Sequence, residues 1–226
     1  TSYCMKQLFL KREGNPRLLL FFAGWGADEH LFHRPVPQGY DYLLCFDYRT
    51  LDFDEAYLEG YQEIYVMAWS MGVWVAGYVL SNASWPVIRS LAVNGTVYPI
   101  DDERGIPHAI FEGTLQGFSE KTLVRFRRRM CGTQEGVKAF LAHEPYRPLD
   151  ELREELAVLK LEVQAKDVPI FHWDKAIVGL QDLIFPVNNQ QKAWEGVEMK
   201  KVDVAHYDEC LFDRLLSGKE EGWIKL

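Results

Sequence analysis

The sequence contains few cysteines, and no two of them lie close together along the chain. Cys4, Cys45, Cys131 and Cys210 are widely scattered, without a Cys-x-x-Cys pattern. Close pairs are typical of zinc sites and of thiol–disulfide exchange motifs, whereas dense cysteines are typical of small secreted scaffolds. We therefore expect four reduced thiols that act as small core hydrophobes, no metal site and a cytoplasmic location.

The sequence also lacks a long apolar segment and an excess of basic residues. No apolar run reaches the roughly 20 residues that a membrane-spanning helix requires. Residues 1–11 do not show the charged, apolar and small-residue succession of a signal peptide. A formal charge of −8 at pH 7 disfavours general binding to nucleic acid or to an anionic membrane surface.

Short apolar runs alternate with helix-like segments along most of the 226 residues. Strands are predicted at residues 7–12, 17–22, 42–46, 64–67, 87–93, 169–171, 176–178 and 199–204. Short helices are predicted at residues 28–34, 52–61, 73–80, 188–194 and 208–216. The alternation predicts one α/β domain over residues 1–226, with a mostly parallel, doubly wound sheet and helices on both faces.

The alternation stops between about residues 100 and 166. Two helical patterns occur there. We expect Ser119 to cap the first helix and Asp150 to cap the second. We expect a small helical lid insertion over the carboxyl ends of the strands. The alternative is that this region forms an ordinary part of the core.

The segment Ala68-Trp69-Ser70-Met71-Gly72 joins a predicted strand to a predicted helix, with Ser70 at the turn. In a turn this tight the residues two positions before and two positions after the serine pack against each other, so both must be small, as Ala68 and Gly72 are. It lifts the serine hydroxyl clear of the sheet and directs the Met71 N–H toward developing negative charge. Because such five-residue patterns also arise by chance, the strand–helix context is what favours a nucleophile here.

A serine hydroxyl needs a base to take its proton and an acid to orient that base. Asp182 and His206 follow later predicted strands, and the order Ser, Asp, His is that of the α/β-hydrolase fold. Asp174 and Asp203 are rivals for the acid role. The base has five rivals, of which none follows the last strand: His30, His33, His108, His143 and His172.

The loop Ala23-Gly24-Trp25-Gly26 follows a predicted buried strand far upstream of Ser70. In the α/β-hydrolase fold this loop supplies the second N–H donor of the oxyanion hole. We therefore assign the oxyanion hole to the backbone N–H groups of Trp25 and Met71. The Trp25 indole is expected to serve as a core aromatic, as a wall of the acyl pocket, or as both.

Three motifs occur together in this chain: Phe21-Phe22-Ala23-Gly24-Trp25-Gly26, Ala68-Trp69-Ser70-Met71-Gly72-Val73-Trp74 and Gly179-x-x-Asp182-x-Ile184-Phe185-Pro186. Together they resemble the BioG-type pimeloyl-acyl-carrier-protein methyl ester esterases, over nearly the whole chain. The resemblance implies hydrolysis of a pimeloyl methyl ester during biotin synthesis, with acyl carrier protein as the partner. The residues themselves indicate a serine hydrolase without a cofactor. A thioesterase, a generalist short-chain esterase and a non-catalytic binding protein are the alternatives.

The first helix of the insertion carries a cluster of basic residues. On a helix, Arg125, Arg128 and Arg129 share one face, because they are three and four positions apart. Since acyl carrier proteins are acidic, a basic face in an acidic protein has the sign needed to bind one. The alternative is a solvated face whose arginines pair with nearby glutamates.

Overall fold

A computed structural model describes residues 5–81, 84–220 and 222–226 of the protein. The strands of these residues are β1 (Lys6–Lys11), β2 (Arg17–Phe22), β3 (Tyr40–Phe46), β4 (Glu63–Trp69), β5 (Val87–Val93), β6 (Lys175–Gly179) and β7 (Glu198–Val202). Their helices are α1 (Glu29–Phe32), α2 (Gly72–Leu80), α3 (His108–Leu115), α4 (Glu120–Cys131), α5 (Gln134–Leu141), α6 (Leu149–Ala165), α7 (Val187–Ala193) and α8 (Glu209–Leu216).

The strands form one seven-stranded sheet in the order β1-β3-β2-β4-β5-β6-β7. β1 lies at one edge and runs antiparallel to β3, while every other neighbouring pair is parallel. The predicted α/β-hydrolase architecture is therefore confirmed. Because parallel strands end at the same edge of a sheet, the loops after β2, β4, β6 and β7 meet there.

The apolar run of β2 is buried because both faces of the sheet are covered. Phe21 packs edge-on against Phe32 of α1, and it also contacts Phe212 of α8. Its neighbour Phe22 points to the opposite face, where it packs against Phe53. This two-sided burial explains why β2 reads as a continuous apolar run.

Two predicted elements differ from the structure. Residues 169–171 do not form a strand: Pro169 has no N–H to donate, and Ile170 is 85% exposed. The helix expected over residues 52–61 is a single 3₁₀ turn, Glu55–Leu58, which begins after the Asp54 cap.

The predicted insertion between β5 and β6 contains four helices, α3 to α6, where the sequence patterns indicated two. Ser119 caps α4 as predicted, because its hydroxyl accepts the Thr122 N–H over 3.3 Å. The prediction that Asp150 caps the second helix was wrong. α6 begins at Leu149 directly after Pro148, and Asp150 lies in the first turn of that helix.

The cysteines are only partly as expected. Cys45 and Cys131 are free and buried, whereas Cys210 is free and exposed, so the core prediction was wrong for Cys210. Cys4 lies outside the described residues. No helix in the described part of the chain combines the length and the apolar character that crossing a membrane demands.

Candidate active site

Ser70 lies at a sharp turn between the last residue of β4 and the start of α2. Its φ angle of 59° is in the left-handed region, which few non-glycine residues adopt. Its backbone is held on both sides, since Ser70 N–H bonds to Val93 O over 3.1 Å and Ser70 O accepts from Val73 N–H. The predicted strand–turn–helix geometry is therefore present, with the serine at its apex.

The reason for glycine at position 72 differs from the one that the sequence suggested. A Cβ atom at Gly72 would overlap the carbonyl oxygens of Phe22 and Ala23 at the end of β2. Packing against Ala68 is therefore not what excludes a side chain. The constraint at Gly72 comes from the neighbouring strand, and it keeps the turn at Ser70 close to the loop after β2.

The structure brings the side chains of Ser70, His206 and Asp182 into one hydrogen-bonded chain. The Ser70 hydroxyl lies 3.0 Å from His206 Nε2, and His206 Nδ1 lies 2.8 Å from Asp182 Oδ2. All three residues are buried, with Ser70 6% exposed and His206 1% exposed. Since a carboxylate only accepts, Nδ1 carries the ring proton and Nε2 faces the serine as an acceptor.

Asp182 is fixed by a full set of donors. Its Oδ1 accepts the Ile184 and Phe185 N–H groups over 2.8 and 2.9 Å. Its Oδ2 accepts from Gln190 Nε2 of α7 over 3.0 Å, in addition to His206. These bonds hold the carboxylate in one orientation toward the imidazole.

The rival residues lie elsewhere. Asp174 accepts from the Ser90 N–H and hydroxyl, and Asp203 accepts from the Gln181 side chain. His206 is the one histidine, among the six that the structure describes, that contacts Ser70. The other five pair with carboxylates or are exposed: His30, His33, His108, His143 and His172.

The loop after β2 lies against the serine. A Cβ atom at Gly24 would be 3.1 Å from Ser70 Cβ, so the next residue, Trp25, follows a point of close approach. Among the described residues, neither the Trp25 N–H nor the Met71 N–H donates a hydrogen bond within the protein. Two unpartnered N–H groups thus belong to the two segments that meet at Ser70.

An apolar cavity adjoins Ser70, and the insertion provides much of its wall. Ile110 of α3, Phe126 of α4 and Leu156 of α6 line it together with Trp25 and His206. The Trp25 indole packs edge-on against Phe126, with ring centroids 5.1 Å apart. The indole therefore forms part of the cavity wall.

The three predicted arginines lie on the exposed face of α4. In the described parts of the chain, no carboxylate lies within ion-pair distance of Arg125, Arg128 or Arg129. Arg127 differs, because it pairs with Glu144 over 2.7 Å. Arg125 and Arg129 line a groove between α3 and α4 that shares three residues with the cavity beside Ser70: Ile110, Thr114 and Phe126.

Sequence reasoning missed Asn94, at the end of β5. Its Nδ2 donates to the carbonyl oxygens of Ala205 and His206, each over 3.1 Å, and its Oδ1 accepts the Gly179 N–H over 2.7 Å. It therefore ties the ends of β6 and β7 together beneath the site. The available signal was an Asn-Gly pair directly after a buried strand, at the sheet edge where the other site residues lie.

One group of side chains in the described residues brings potential metal ligands together: Asp28, Glu29 and His30. Both Asp28 oxygens already accept hydrogen bonds from the backbone. Oδ1 accepts the His30 N–H, and Oδ2 accepts the Tyr146 N–H over 2.7 Å. The Asp28 carboxylate therefore serves as the cap of α1 and as an anchor for the segment before α6.

Comparison with known proteins places the chain in a family. Residues 5–217 match the family described as pimeloyl-ACP methyl esterase BioG. The chain belongs to the BioG family. It is 37% identical to BioG from Haemophilus influenzae, whose crystal structure superposes with a TM-score of 0.84 over 92% of this chain and 97% of that one. A hydrolase from Pseudomonas aeruginosa PA01, 14% identical with a TM-score of 0.69 over 98% and 94% of the two chains, shares the fold.

A further relative of this BioG-family chain has a different name. The chain is 51% identical to the malonyl-[acyl-carrier protein] O-methyltransferase of Bacteroides fragilis, over 88% of this chain but 41% of that protein. The chain thus spans less than half the length of this relative. The name describes the whole of the longer protein and does not assign methyl transfer to the matched segment.

Proposed function

We propose that this protein is a serine esterase that removes the methyl ester from a pimeloyl chain carried by acyl carrier protein, in the synthesis of the biotin precursor. The observation that supports this most directly is the Ser70–His206–Asp182 chain of hydrogen bonds beside an apolar cavity. Membership of a family described as pimeloyl-ACP methyl esterases supports the substrate.

In the first half-reaction, Ser70 Oγ attacks the ester carbonyl carbon while His206 Nε2 takes the hydroxyl proton. Asp182 keeps the imidazole oriented and stabilises its positive charge. The N–H groups of Trp25 and Met71 donate to the oxyanion of the tetrahedral intermediate. His206 then donates its proton to the departing methoxide, so that methanol leaves and an acyl-enzyme remains.

The second half-reaction repeats these roles with water. His206 takes a proton from a water molecule, which attacks the acyl-enzyme carbonyl carbon. Collapse of the second tetrahedral intermediate returns the proton to Ser70 Oγ and releases the carboxylic acid, which ionises in water. Over the two half-reactions one water molecule is consumed and one methanol molecule is released.

The carrier-bound substrate has two further supports. The groove lined by Arg125 and Arg129 shares lining residues with the cavity at Ser70, and a basic groove suits an acidic carrier whose acyl chain reaches inward. The relative named for malonyl-[acyl-carrier protein] O-methylation is named for forming a methyl ester on a carrier-bound acid. An esterase that removes such a methyl ester would act on the class of compound that this methylation forms.

The test compares wild-type protein with Ser70→Ala on pimeloyl-carrier methyl ester, measuring methanol release and free carrier thiol separately. We expect methanol release by the wild type, and a loss on the order of 10⁴–10⁶ in turnover for Ser70→Ala without loss of folding. A fluorophosphonate should label Ser70 in the wild type alone.

The alternatives give different results in the same assay. Release of carrier thiol in place of methanol would indicate a thioesterase. Equal kcat/KM values on free short-chain esters would indicate a generalist esterase. If the protein is neither labelled nor active, or if Ser70→Ala retains wild-type turnover, the serine esterase proposal is wrong.

A further inference from the structure

A fully buried carboxylate lies in the insertion, outside the group of residues assigned to the reaction. Glu155 of α6 is 0% exposed. Its Oε1 accepts the Gly26 N–H over 3.1 Å and pairs with Arg147 over 3.0 Å, and its Oε2 accepts the Tyr48 N–H over 2.8 Å. One side chain of the insertion thus binds the loops after both β2 and β3.

Burying a carboxylate requires strong compensation, because a charge removed from water is strongly destabilising unless it is paired and hydrogen-bonded. Burial raises the pKa of Glu155, while Arg147 and the N–H donors of Tyr48 and Gly26 oppose that shift. An apolar side chain would fill the same volume without this cost. The presence of a carboxylate at this position is therefore best explained by the backbone segments that its two oxygens hold in place.

One of these segments is the loop that carries Trp25. The Trp25 indole Nε1 donates to Leu152 O of α6 over 2.8 Å, and the next N–H, that of Gly26, is bound by Glu155. Arg147 donates to Ala27 O over 3.0 Å, so three consecutive residues of the loop are attached to the insertion. The Trp25 N–H is the group that these contacts leave unpartnered beside Ser70.

We propose that Glu155 is a positioning residue for the oxyanion hole. By accepting the Gly26 N–H, it fixes the path of the loop so that the Trp25 N–H faces the oxyanion formed at Ser70. This inference rests on the proposed function, and it adds that α6 of the insertion completes the oxyanion hole in addition to covering the substrate. A displacement of α6 would withdraw this donor.

The variant Glu155→Gln tests the proposal with little change in volume. Glutamine keeps one acceptor oxygen, but its NH₂ group must face the N–H of either Gly26 or Tyr48. Removing one oxyanion donor costs about 10²–10³ in kcat, and displacing it should cost somewhat less. We expect kcat on a small free ester to fall roughly 10- to 100-fold, with KM within about twofold.

The matched control is Glu151→Gln, one turn earlier on the same helix. Glu151 also pairs with Arg147, over 3.3 Å, and with Arg49, over 3.2 Å, but it does not contact the Trp25–Gly26 loop. We expect wild-type kcat for this variant. Thermal unfolding of both variants separates a loss of stability from a loss of turnover.

A pair of inhibitors supplies the measurement that a merely structural role would not change. An alkyl trifluoromethyl ketone adds to the serine and places an oxyanion in the hole, whereas the corresponding methyl ketone binds as a ground-state ligand. Glu155→Gln should weaken the first by about the same factor as kcat and leave the second within about twofold. Glu155→Asp, which keeps the charge but shortens the side chain, should show the same selectivity if Glu155→Gln does not fold.

Three results would overturn the positioning role: wild-type kcat in folded Glu155→Gln, an equal loss in Glu151→Gln, or equal weakening of both ketones. In each case an active wild type leaves the esterase proposal intact. A wild type that neither hydrolyses esters nor binds the trifluoromethyl ketone refutes the esterase function first, and the positioning role falls with it.

Discussion

The Asn94 side chain donates a hydrogen bond to the backbone carbonyl oxygen of His206 over 3.1 Å. The same carbonyl oxygen also accepts from the Trp69 indole N–H over 2.9 Å. The imidazole that faces Ser70 is thus fixed through its own backbone by residues at the ends of β5 and β4. Asn94 has a φ angle of 45°, a region that asparagine tolerates better than most residues.

Asn94→Ala should therefore lower both stability and turnover. It leaves the buried Gly179 N–H without an acceptor, which typically costs about 1–3 kcal/mol in the free energy of unfolding. A small shift of His206 should reduce kcat roughly 10- to 100-fold. The control is Asn189→Ala, because Asn189 also donates to two backbone carbonyl oxygens, those of Asp102 and Gly105. Equal kcat values for the two variants would contradict a role for Asn94 in orienting His206.

Asp182→Asn should lower turnover by about 10⁴, since the amide favours the wrong tautomer of His206. Asp174→Asn and Asp203→Asn serve as controls, because both carboxylates bond to residues outside the site. We expect steady-state kcat values near wild type for these two. A large loss for Asp174→Asn, with none for Asp182→Asn, would reassign the acid.

Replacing Arg125, Arg128 and Arg129 together with alanine should weaken the use of carrier-bound substrate. Each exposed charge pair is typically worth about 0.2–1 kcal/mol, so removing three such pairs should cause a roughly 3- to 150-fold loss in kcat/KM at low salt. The loss should shrink as ionic strength rises, while hydrolysis of a small free ester stays unchanged.

The control for this triple variant removes three exposed basic residues outside the insertion: Arg12, Arg89 and Lys201. It changes the net charge by the same amount, and we expect wild-type kcat/KM on the carrier substrate. Equal losses in both triple variants would indicate a general effect of charge. Equal losses of the first variant on both substrates would mean that its arginines stabilise the insertion.

Gly72→Ala should destabilise the fold, because the added methyl group overlaps two backbone oxygens that cannot move independently of β2. Overpacking of this kind costs about 1–3 kcal/mol or more in the free energy of unfolding. Gly113→Ala in α3 is the matched control, since a Cβ atom there meets nothing within 4 Å. That variant should be stabilised by roughly 0.4–1 kcal/mol in the same denaturant titration. Equal stability of the two variants would contradict the contact at Gly72.

Iodoacetamide should alkylate Cys210 in the native protein and spare Cys45 and Cys131. Burial raises the pKa of Cys131 to about 12, and it also raises the pKa of Cys45 well above the usual thiol value. At pH 8 neither thiol is ionised to a useful extent, and both are shielded, whereas Cys210 is exposed. Mass spectrometry of tryptic peptides checks this, with alkylation of Cys131 at the rate of Cys210 as the contrary result.

Local sequence patterns were sufficient where burial is two-sided. The apolar run of β2 predicted a strand because covering both faces of a sheet leaves its mark on every consecutive residue. The small residues around Ser70 predicted the turn, although the contact that excludes a side chain at Gly72 comes from the end of β2. The order of Ser70, Asp182 and His206 then placed three side chains at one edge of a parallel sheet, where the structure has them within hydrogen-bond distance.

The residues that were missed depend on contacts distant in sequence. Glu155 binds Gly26 across 129 positions, and Asn94 binds His206 across 112. Glu155 reads as an ordinary charge on an amphipathic helix, and no local pattern marks it as buried. The predictions of a strand at Pro169 and of a helix cap at Asp150 were wrong for a different reason. In both cases a short local pattern was given more weight than the surrounding sequence supports.

His206 follows the last strand of the sheet, whereas the turn at Ser70 follows a central one. During synthesis on a ribosome, β1 to β5 can emerge and begin to fold long before residue 206 is translated. The Ser70 hydroxyl can acquire its imidazole neighbour only once residue 206 has been synthesised and brought to the same edge of the sheet. Until then, the growing polypeptide carries at position 70 a serine hydroxyl that has no imidazole beside it.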